Sequence, residues 1–487
     1  MPDSHPNIIL IMTDEQKADS LSLYDNPVVR TPSLERLAAH GVTFTSAFTA
    51  YPVCVPSRVM AFTGRYAHAN RSRSNDVLMQ PGEAHLLHIL KRADYTTGLS
   101  GKNHCFGPAD LQQFDFLWQC GHTGPAEPPD EAAAAAKQFI LDSQITRRAW
   151  GTVTNPYPPE SLGTALTVAH AIEFLERHAA EPFFLWCSIA DPHTPLQTAE
   201  PYASMYDPND VPMPEQLEGE IGAKPMAQQI DYRALAGDRV TEADIRRVIA
   251  MYYGMNTYID HEIGRLLHRV DALGLRERTL ILYTSDHGDY MGEHGMIRKS
   301  KALYDCLMRI PLVVSWPGRL PEGLRRDEFV ETADLMPTVL NALDLAQPEG
   351  IQGRSFLSLL DGGDYHERDA VFGEIGVEAP DGRADVVHTL ADIERLPGGA
   401  TTPDFSPRYK LGGLGPIKCI RTREWKLVYY PGNREGELYN LRQDPGERVN
   451  LWDRPEHAVL KAELTARILD WCIQTEDHRP RLQRSGF

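Results

Sequence analysis

The sequence predicts an α/β fold: a large α/β domain followed by a smaller appended one. Three observations predict it. Short apolar runs rich in β-branched residues recur at 7–13, 183–189 and 280–285, each too brief for a helix and suited to a strand buried on both faces. Stretches with helical apolar spacing alternate with them, at 33–40, 165–178, 245–273 and 338–343. After a turn-rich closure at 361–364 the pattern changes to that of a small antiparallel sheet and a final helix.

Taken in order, the first run, Asn7-Ile8-Ile9-Leu10-Ile11-Met12-Thr13, ends in Asp14-Glu15-Gln16. Acids at the carboxyl end of a central parallel strand stand where α/β sheets place their chemistry. Next comes Cys54-Val55-Pro56-Ser57-Arg58, followed after four residues by Thr63-Gly64-Arg65. Pro56 suits the first turn of a helix, and the four-residue spacing lets Arg58 reach back over Cys54. Free N–H groups, the helix dipole and a guanidinium together favour a tetrahedral oxyanion. The run at 280–285 ends in Asp286-His287-Gly288, so two buried strands each deliver a pair of ligands that can converge on one hard divalent cation.

Beyond the closure, residues 420–430 and 437–441 read as two antiparallel strands joined by a turn at Pro431-Gly432-Asn433, and a helix runs from about His457 to Thr475. Residues 124–131 and 382–408 are rich in Pro, Gly and acidic side chains and read as loops. Residues 201–237 look mostly irregular, a segment suited to a lid or a homo-oligomer contact.

The chain has 487 residues, 42% of them hydrophobic, enough for two domains and a substantial core. Its formal net charge of −18, from 49 basic and 67 acidic residues, argues against a nucleic-acid or anionic-membrane partner. A protein this acidic that handles an anionic substrate must reverse the field locally with clustered Arg and Lys or a metal ion. Seven widely spaced cysteines do not make a disulfide framework. Cys105, Cys120, Cys187, Cys306, Cys419 and Cys472 read as small buried hydrophobes. No apolar stretch approaches a membrane span, and the N-terminus has no basic region, so the expectation is a cytoplasmic protein.

At Cys54-Val55-Pro56-Ser57-Arg58 and Thr63-Gly64-Arg65 the chain resembles the type I sulfatases of the alkaline phosphatase superfamily, with every fixed position of their signature present. The likeness covers essentially the whole chain. It implies a large mixed, mostly parallel sheet sandwiched by helices over residues 1–365, and a smaller C-terminal α+β subdomain over 366–487. It further implies that a maturase oxidises Cys54 to formylglycine, whose hydrate is the nucleophile toward a small sulfate ester.

By position the resemblance makes Asp14, Glu15, Asp286 and His287 ligands of a divalent cation, with the modified Cys54 beside them; Glu15 stands where aspartate is commoner. Oxygen-rich donors favour Ca2+, and His287 admits Mg2+ or Mn2+. Ser100-Gly101-Lys102-Asn103-His104 resembles an element whose lysine holds sulfate and whose histidine serves as a base. Asp191-Pro192-His193-Thr194-Pro195 resembles a turn that sets His193 beside the leaving-group oxygen. In Gly292-Glu293-His294-Gly295-Met296-Ile297-Arg298-Lys299 the substrate-gripping lysine is Lys299 by position, with Lys301 near enough to leave the register open, and His294 reads as a turn residue. Asn75 is a further candidate for substrate contact.

The implied reaction is attack of the hydrate on sulfur in line with the departing alcohol, with Arg58 making the attacking hydroxyl acidic. Lys102 and Lys299 neutralise the sulfuryl oxygens, His193 protonates the leaving oxygen, and His104 takes a proton from the second hydroxyl so that sulfate is expelled. A phosphonate monoester hydrolase or phosphodiesterase is the alternative, since related enzymes share the signature cysteine and the Asp-His pair. A remoter one is a silent binding protein never oxidised at Cys54.

Overall fold

A computed structural model describes residues 6–143, 150–234, 240–361, 365–376, 385–387, 409–411, 417–431 and 435–477. The expected closure at 361–364, the loop at 382–408 and the turn at Pro431-Gly432-Asn433 lie wholly or largely outside them.

A ten-stranded sheet carries the molecule. Its strands run in the order Leu324–Arg326, Val42–Phe48, Arg309–Ser315, Thr279–Ser285, Asn7–Asp14, Phe183–Pro192, Thr96–Gly101, Phe116–Gly121 and Gly124–Pro125, with Val330–Glu331 also paired to Val42–Phe48. The five from Thr279–Ser285 through Phe116–Gly121 are mutually parallel. Arg309–Ser315 runs antiparallel between Thr279–Ser285 and Val42–Phe48, which makes the sheet mixed. The first strand lies at the centre and is wholly buried, and its alternate side chains feed two separate cores. Ile8, Leu10 and Met12 pack with Val59 and Phe62 on one face; Ile9 and Ile11 pack with Val168, Phe174 and Leu266 on the other. Period-two alternation across a sheet covered by helices on both faces produces this arrangement.

The Cys54–Thr63 helix covers the first face, and Gly163–His178 and the 31-residue Glu242–Ala272 cover the second. The long helix opens with a capping box in which the Thr241 side chain accepts from Asp244 N and the Asp244 side chain accepts from Thr241 N. Asp130 caps Glu131–Asp142 by accepting from Ala133 N, so the expected loop at 124–131 is a two-residue strand leading into a helix cap. Within the segment expected at 201–237, the described residues 201–234 hold a 3-10 turn at Glu220–Ala223 and a helix at Met226–Ala234, more regular structure than expected; 235–237 lie outside the described residues. Tyr202, Tyr206 and Val211 are buried within that stretch.

Beyond the large sheet, Ala370–Ile375, Ile417–Thr422, Trp425–Tyr430 and Glu435–Asn440 form a four-stranded antiparallel sheet in that order, backed by the Ala458–Gln474 helix. The single strand expected at 420–430 is in fact two. The Thr422 side chain turns the chain back at Arg423-Glu424 by accepting from Trp425 N at 2.9 Å. Phe48, Tyr51 and Met60 share one core with Val371, Cys419, Val428 and Trp471, so the small sheet is fused to the end of the large one that bears Cys54. No described helix is long and apolar enough to cross a membrane.

Candidate active site

Asp14 and Glu15 leave the end of the first strand, and Asp286 and His287 leave the end of its parallel neighbour Thr279–Ser285. Adjacent parallel strands end side by side, which is why two dipeptides 271 residues apart meet; Glu15 N donates to Asp286 Oδ1 at 3.0 Å. Glu15 holds a φ of 62°, a left-handed conformation uncommon for a residue with a side chain.

Cys54 is the first residue of its helix, and its Sγ lies 3.6 Å from Asp14 Oδ1 and 3.3 Å from His287 Nε2. One ligand atom each from Asp14, Cys54, Asp286 and His287 lies within 4.8 Å of the others, all four residues being buried. Glu15 stands beside this set. Its Oε2 is 3.1 Å from both His193 Nε2 and Lys299 Nζ, while its buried Oε1 has no hydrogen-bond partner among the described residues. Three carboxylates and an imidazole around an orphaned buried oxygen fit a hard divalent cation.

Arg58 departs from expectation. Its guanidinium is turned inward, with no exposed surface, and does not line an open anion site above Cys54. Nη2 donates to Asp14 Oδ2 at 2.8 Å, Nε to Asp286 Oδ2 at 2.8 Å and Nη1 to Ser188 Oγ at 2.7 Å. Two buried carboxylates at adjacent strand ends capture its rigid fork of donors. The rest of the signature builds the scaffold. Ser57 Oγ donates to Asp286 O at 2.5 Å, Gly64 ends the helix at a φ of 64°, and Arg65 donates to Asp477 at 2.8 Å.

Lys102 follows the strand Thr96–Gly101 and pairs through Nζ with Asp14, while the same Nζ lies 3.0 Å from His122 Nε2. Gly101 makes this turn feasible: a Cβ there would sit 2.0 Å from Ser188 O, and its φ is 107°. His193 presents Nε2 to Glu15, and its Nδ1 lies 2.6 Å from Thr194 O. The His193 ring stacks on His122 at 3.7 Å between centroids, and His104 lies edge-on to His122 at 6.4 Å. Asn75 Oδ1 accepts from Val55 N at 3.1 Å, serving the start of the Cys54 helix. Lys301 donates its backbone N–H to Asp231, and Lys299 brings its Nζ to Glu15. His294 pairs with Glu220 and stacks on Tyr304, away from the cluster.

His122, Ser188 and Asp289 complete the site without having been singled out by the sequence. Asp289 accepts from Met291 N and Arg298 N at 2.8 and 2.9 Å and so shapes the loop that delivers Lys299. Burial, reinforced by Glu15, pushes its carboxyl up to about 7. Burial opposes charge on Asp14 too, yet Lys102, His193 and Arg58 together hold that carboxyl well below its ordinary range. The Cys54 thiol is likewise held well below normal, with Lys102, Lys299 and His287 outweighing burial and the charge of Asp14.

The family model Sulfatase matches residues 6–345. An arylsulfatase from Clostridium perfringens (strain 13 / Type A) is 31% identical, across 93% of this chain and 91% of its own length. The uncharacterized sulfatase YidJ of Escherichia coli (strain K12) is 28% identical, across 97% and 88%. Among solved structures, a phosphonate monoester hydrolase from Silicibacter pomeroyi superposes with a TM-score of 0.80 at 25% identity, covering 97% of this chain and 96% of that one. The chain belongs to the Sulfatase family and is a sulfuric ester hydrolase.

Proposed function

We propose that the protein hydrolyses an aryl or alkyl sulfate monoester to the alcohol and inorganic sulfate, using formylglycine formed from Cys54 and a divalent cation held by Asp14, Glu15, Asp286 and His287. The observation that carries this reading is the position of Cys54: at the head of a buried helix, against two carboxylates and an imidazole, flanked by Lys102 and Lys299. Calcium suits this oxygen-dominated donor set best. When bound, the cation supplies Lewis acidity and neutralises charge on the sulfuryl oxygens. Residues 1–365 then form the catalytic part, and 366–487 buttress the end that bears Cys54.

In this reading Lys102 and Lys299 hold the anionic group over position 54 from two sides. His193 donates a proton from Nε2 to the leaving oxygen, its ring fixed by the Thr194 carbonyl at Nδ1 and by stacking on His122. His104, whose buried Nδ1 has no hydrogen-bond partner among the described residues, serves as the base that restores the aldehyde. Arg58 positions Asp14 and Asp286 from below. An unmodified cysteine lacks the second hydroxyl whose deprotonation re-forms the carbonyl and expels the sulfate carried on the first.

A second reading, phosphonate monoester hydrolysis at the same groups, is favoured by the superposition on the Silicibacter pomeroyi enzyme. One experiment separates them. Protein made with and without a formylglycine-generating enzyme is digested, the mass of the Cys54 peptide is read, and turnover of an aryl sulfate is compared with that of a phenyl phosphonate ester. We expect the aldehyde mass only with the maturase, and faster turnover of the sulfate. Faster phosphonate turnover favours the second reading, and cysteine persisting beside a competent maturase sinks the proposed nucleophile.

A further inference from the structure

A second group of metal-binding side chains lies outside this site, where the Leu86–Arg92 helix meets the loop that continues from Lys102 and His104. His85, the cap residue of that helix, and His88 hold their rings 3.7 Å apart between centroids, tilted by 31°. Both turn Nε2 toward one carboxylate oxygen: Asp110 Oδ1 is 3.4 Å from His85 and 3.3 Å from His88. Asp110 belongs to the short turn Pro108–Leu111. The Gln113 amide closes the group, 2.9 Å from His88 Nε2 and 3.4 Å from Asp110 Oδ1.

His85 makes this arrangement informative. Its side chain is 2% exposed, and among the described residues neither ring nitrogen has a hydrogen-bond partner. A buried imidazole without partners is costly to desolvate, and this one is aimed at a carboxylate it does not hydrogen-bond. His88 and Asp110, at 33% and 21%, leave an entry path from solvent.

We propose that His85, His88 and Asp110 bind a zinc ion, with Gln113 or a water completing four-fold coordination. Two imidazole nitrogens and one carboxylate oxygen are a donor set zinc accepts, and the cluster has the convergence required, one ligand atom from each within 4.8 Å. Turning over the Gln113 amide brings its carbonyl oxygen to the side now held by its NH2 group. The ion is structural. It pins the 105–113 segment to the Leu86–Arg92 helix and thereby steadies the loop that starts at Lys102. Phe106 lies between the two sites, 5.2 Å from His85 and 4.9 Å from Phe62 of the Cys54 helix, between ring centroids.

The test uses the full chain, stripped with a chelator, dialysed against zinc and analysed for bound metal. Wild type is compared with His88→Ala, Asp110→Asn and Asp286→Asn, the last removing a carboxylate from the active-site cluster only. We expect His88→Ala and Asp110→Asn each to bind one equivalent of zinc less than wild type and to lose the rise in Tm that zinc gives it. Asp286→Asn is expected to keep that rise. Both peripheral side chains are partly exposed, so the variants should fold, and their zinc-free Tm checks this. Equal zinc in wild type and the two peripheral variants overturns the proposal, as does a zinc-induced Tm rise that survives in His88→Ala.

Discussion

Arg58 donates to Asp14, Asp286 and Ser188 and so ties together two carboxylates on different strands. A lysine cannot bridge both. Arg58→Lys is therefore expected to weaken divalent-cation affinity about 10–100-fold, the range seen when a group supporting metal ligands is lost. Calorimetric titration of the stripped protein reads this directly, and unchanged affinity would show that the carboxylates hold their places unaided. The direction of Arg58 could not be read from spacing, because spacing says which turn it occupies and not that two acids from distant strands wait beneath it. His122 escaped for a related reason: it follows Phe116–Gly121, whose residues alternate in exposure, and no local pattern in Cys120-Gly121-His122 signals that it will stack on His193. Cys54, Asp14, Asp286 and Lys299 were legible because each sits in a recognisable run or at a strand end.

Strands buried on both faces announce themselves, as at Asn7–Asp14, Phe183–Pro192 and Thr279–Ser285. Val42–Phe48 and Arg309–Ser315 do not. Thr43, Thr45 and Ser46 dilute the first, and Pro311 interrupts the second where its register with Val42–Phe48 shifts. The strand Thr96–Gly101 also depends on a feature that composition hides, the close approach of Gly101 to Ser188 O. Gly101→Ala adds a Cβ with no room and a disfavoured φ, so the chain must shift just before Lys102. A displacement of about 1 Å in a positioning group costs on the order of 100-fold in rate. We expect a fall of that order in kcat/KM for an aryl sulfate from correctly modified protein, and near-normal rates would place Lys102 outside the reaction.

The small sheet and the large one are joined by ionised groups as well as by a shared core. Glu374 is buried and accepts from His68 N at 2.9 Å, pairs with Lys418, and donates its own N–H to Ala50 O at 2.8 Å. Burial opposes its charge, but Lys418 and His68 pull the carboxyl down to about 2, from an ordinary 4.5. A depressed carboxylate stabilises the fold fully above its unfolded pKa, and that stability fades as pH falls from 4.5 toward 2. Glu374→Gln should accordingly lose about 2–3 kcal/mol at pH 7. The stability gap between the two proteins in denaturant titrations is expected to narrow as pH falls from 4.5 toward 2, and a gap that stays constant with pH would refute the electrostatic account. Trp471, packed edge-on against Tyr66 and His68, gives a second handle on the same junction. Trp471→Ala is expected to cost about 3–5 kcal/mol and to lower Tm for the entire chain in a single transition. Every residue of the Cys54–Thr63 helix is buried, and Arg65 just beyond it is clasped by Asp477, 412 positions later. On the proposed reading, an enzyme that oxidises Cys54 would have to reach it before the last helix has docked. If Cys54 is oxidised as proposed, the order in which the polypeptide emerges during synthesis sets a window for that step, and faster closure of the C-terminal sheet is expected to leave more of the protein with an unconverted cysteine.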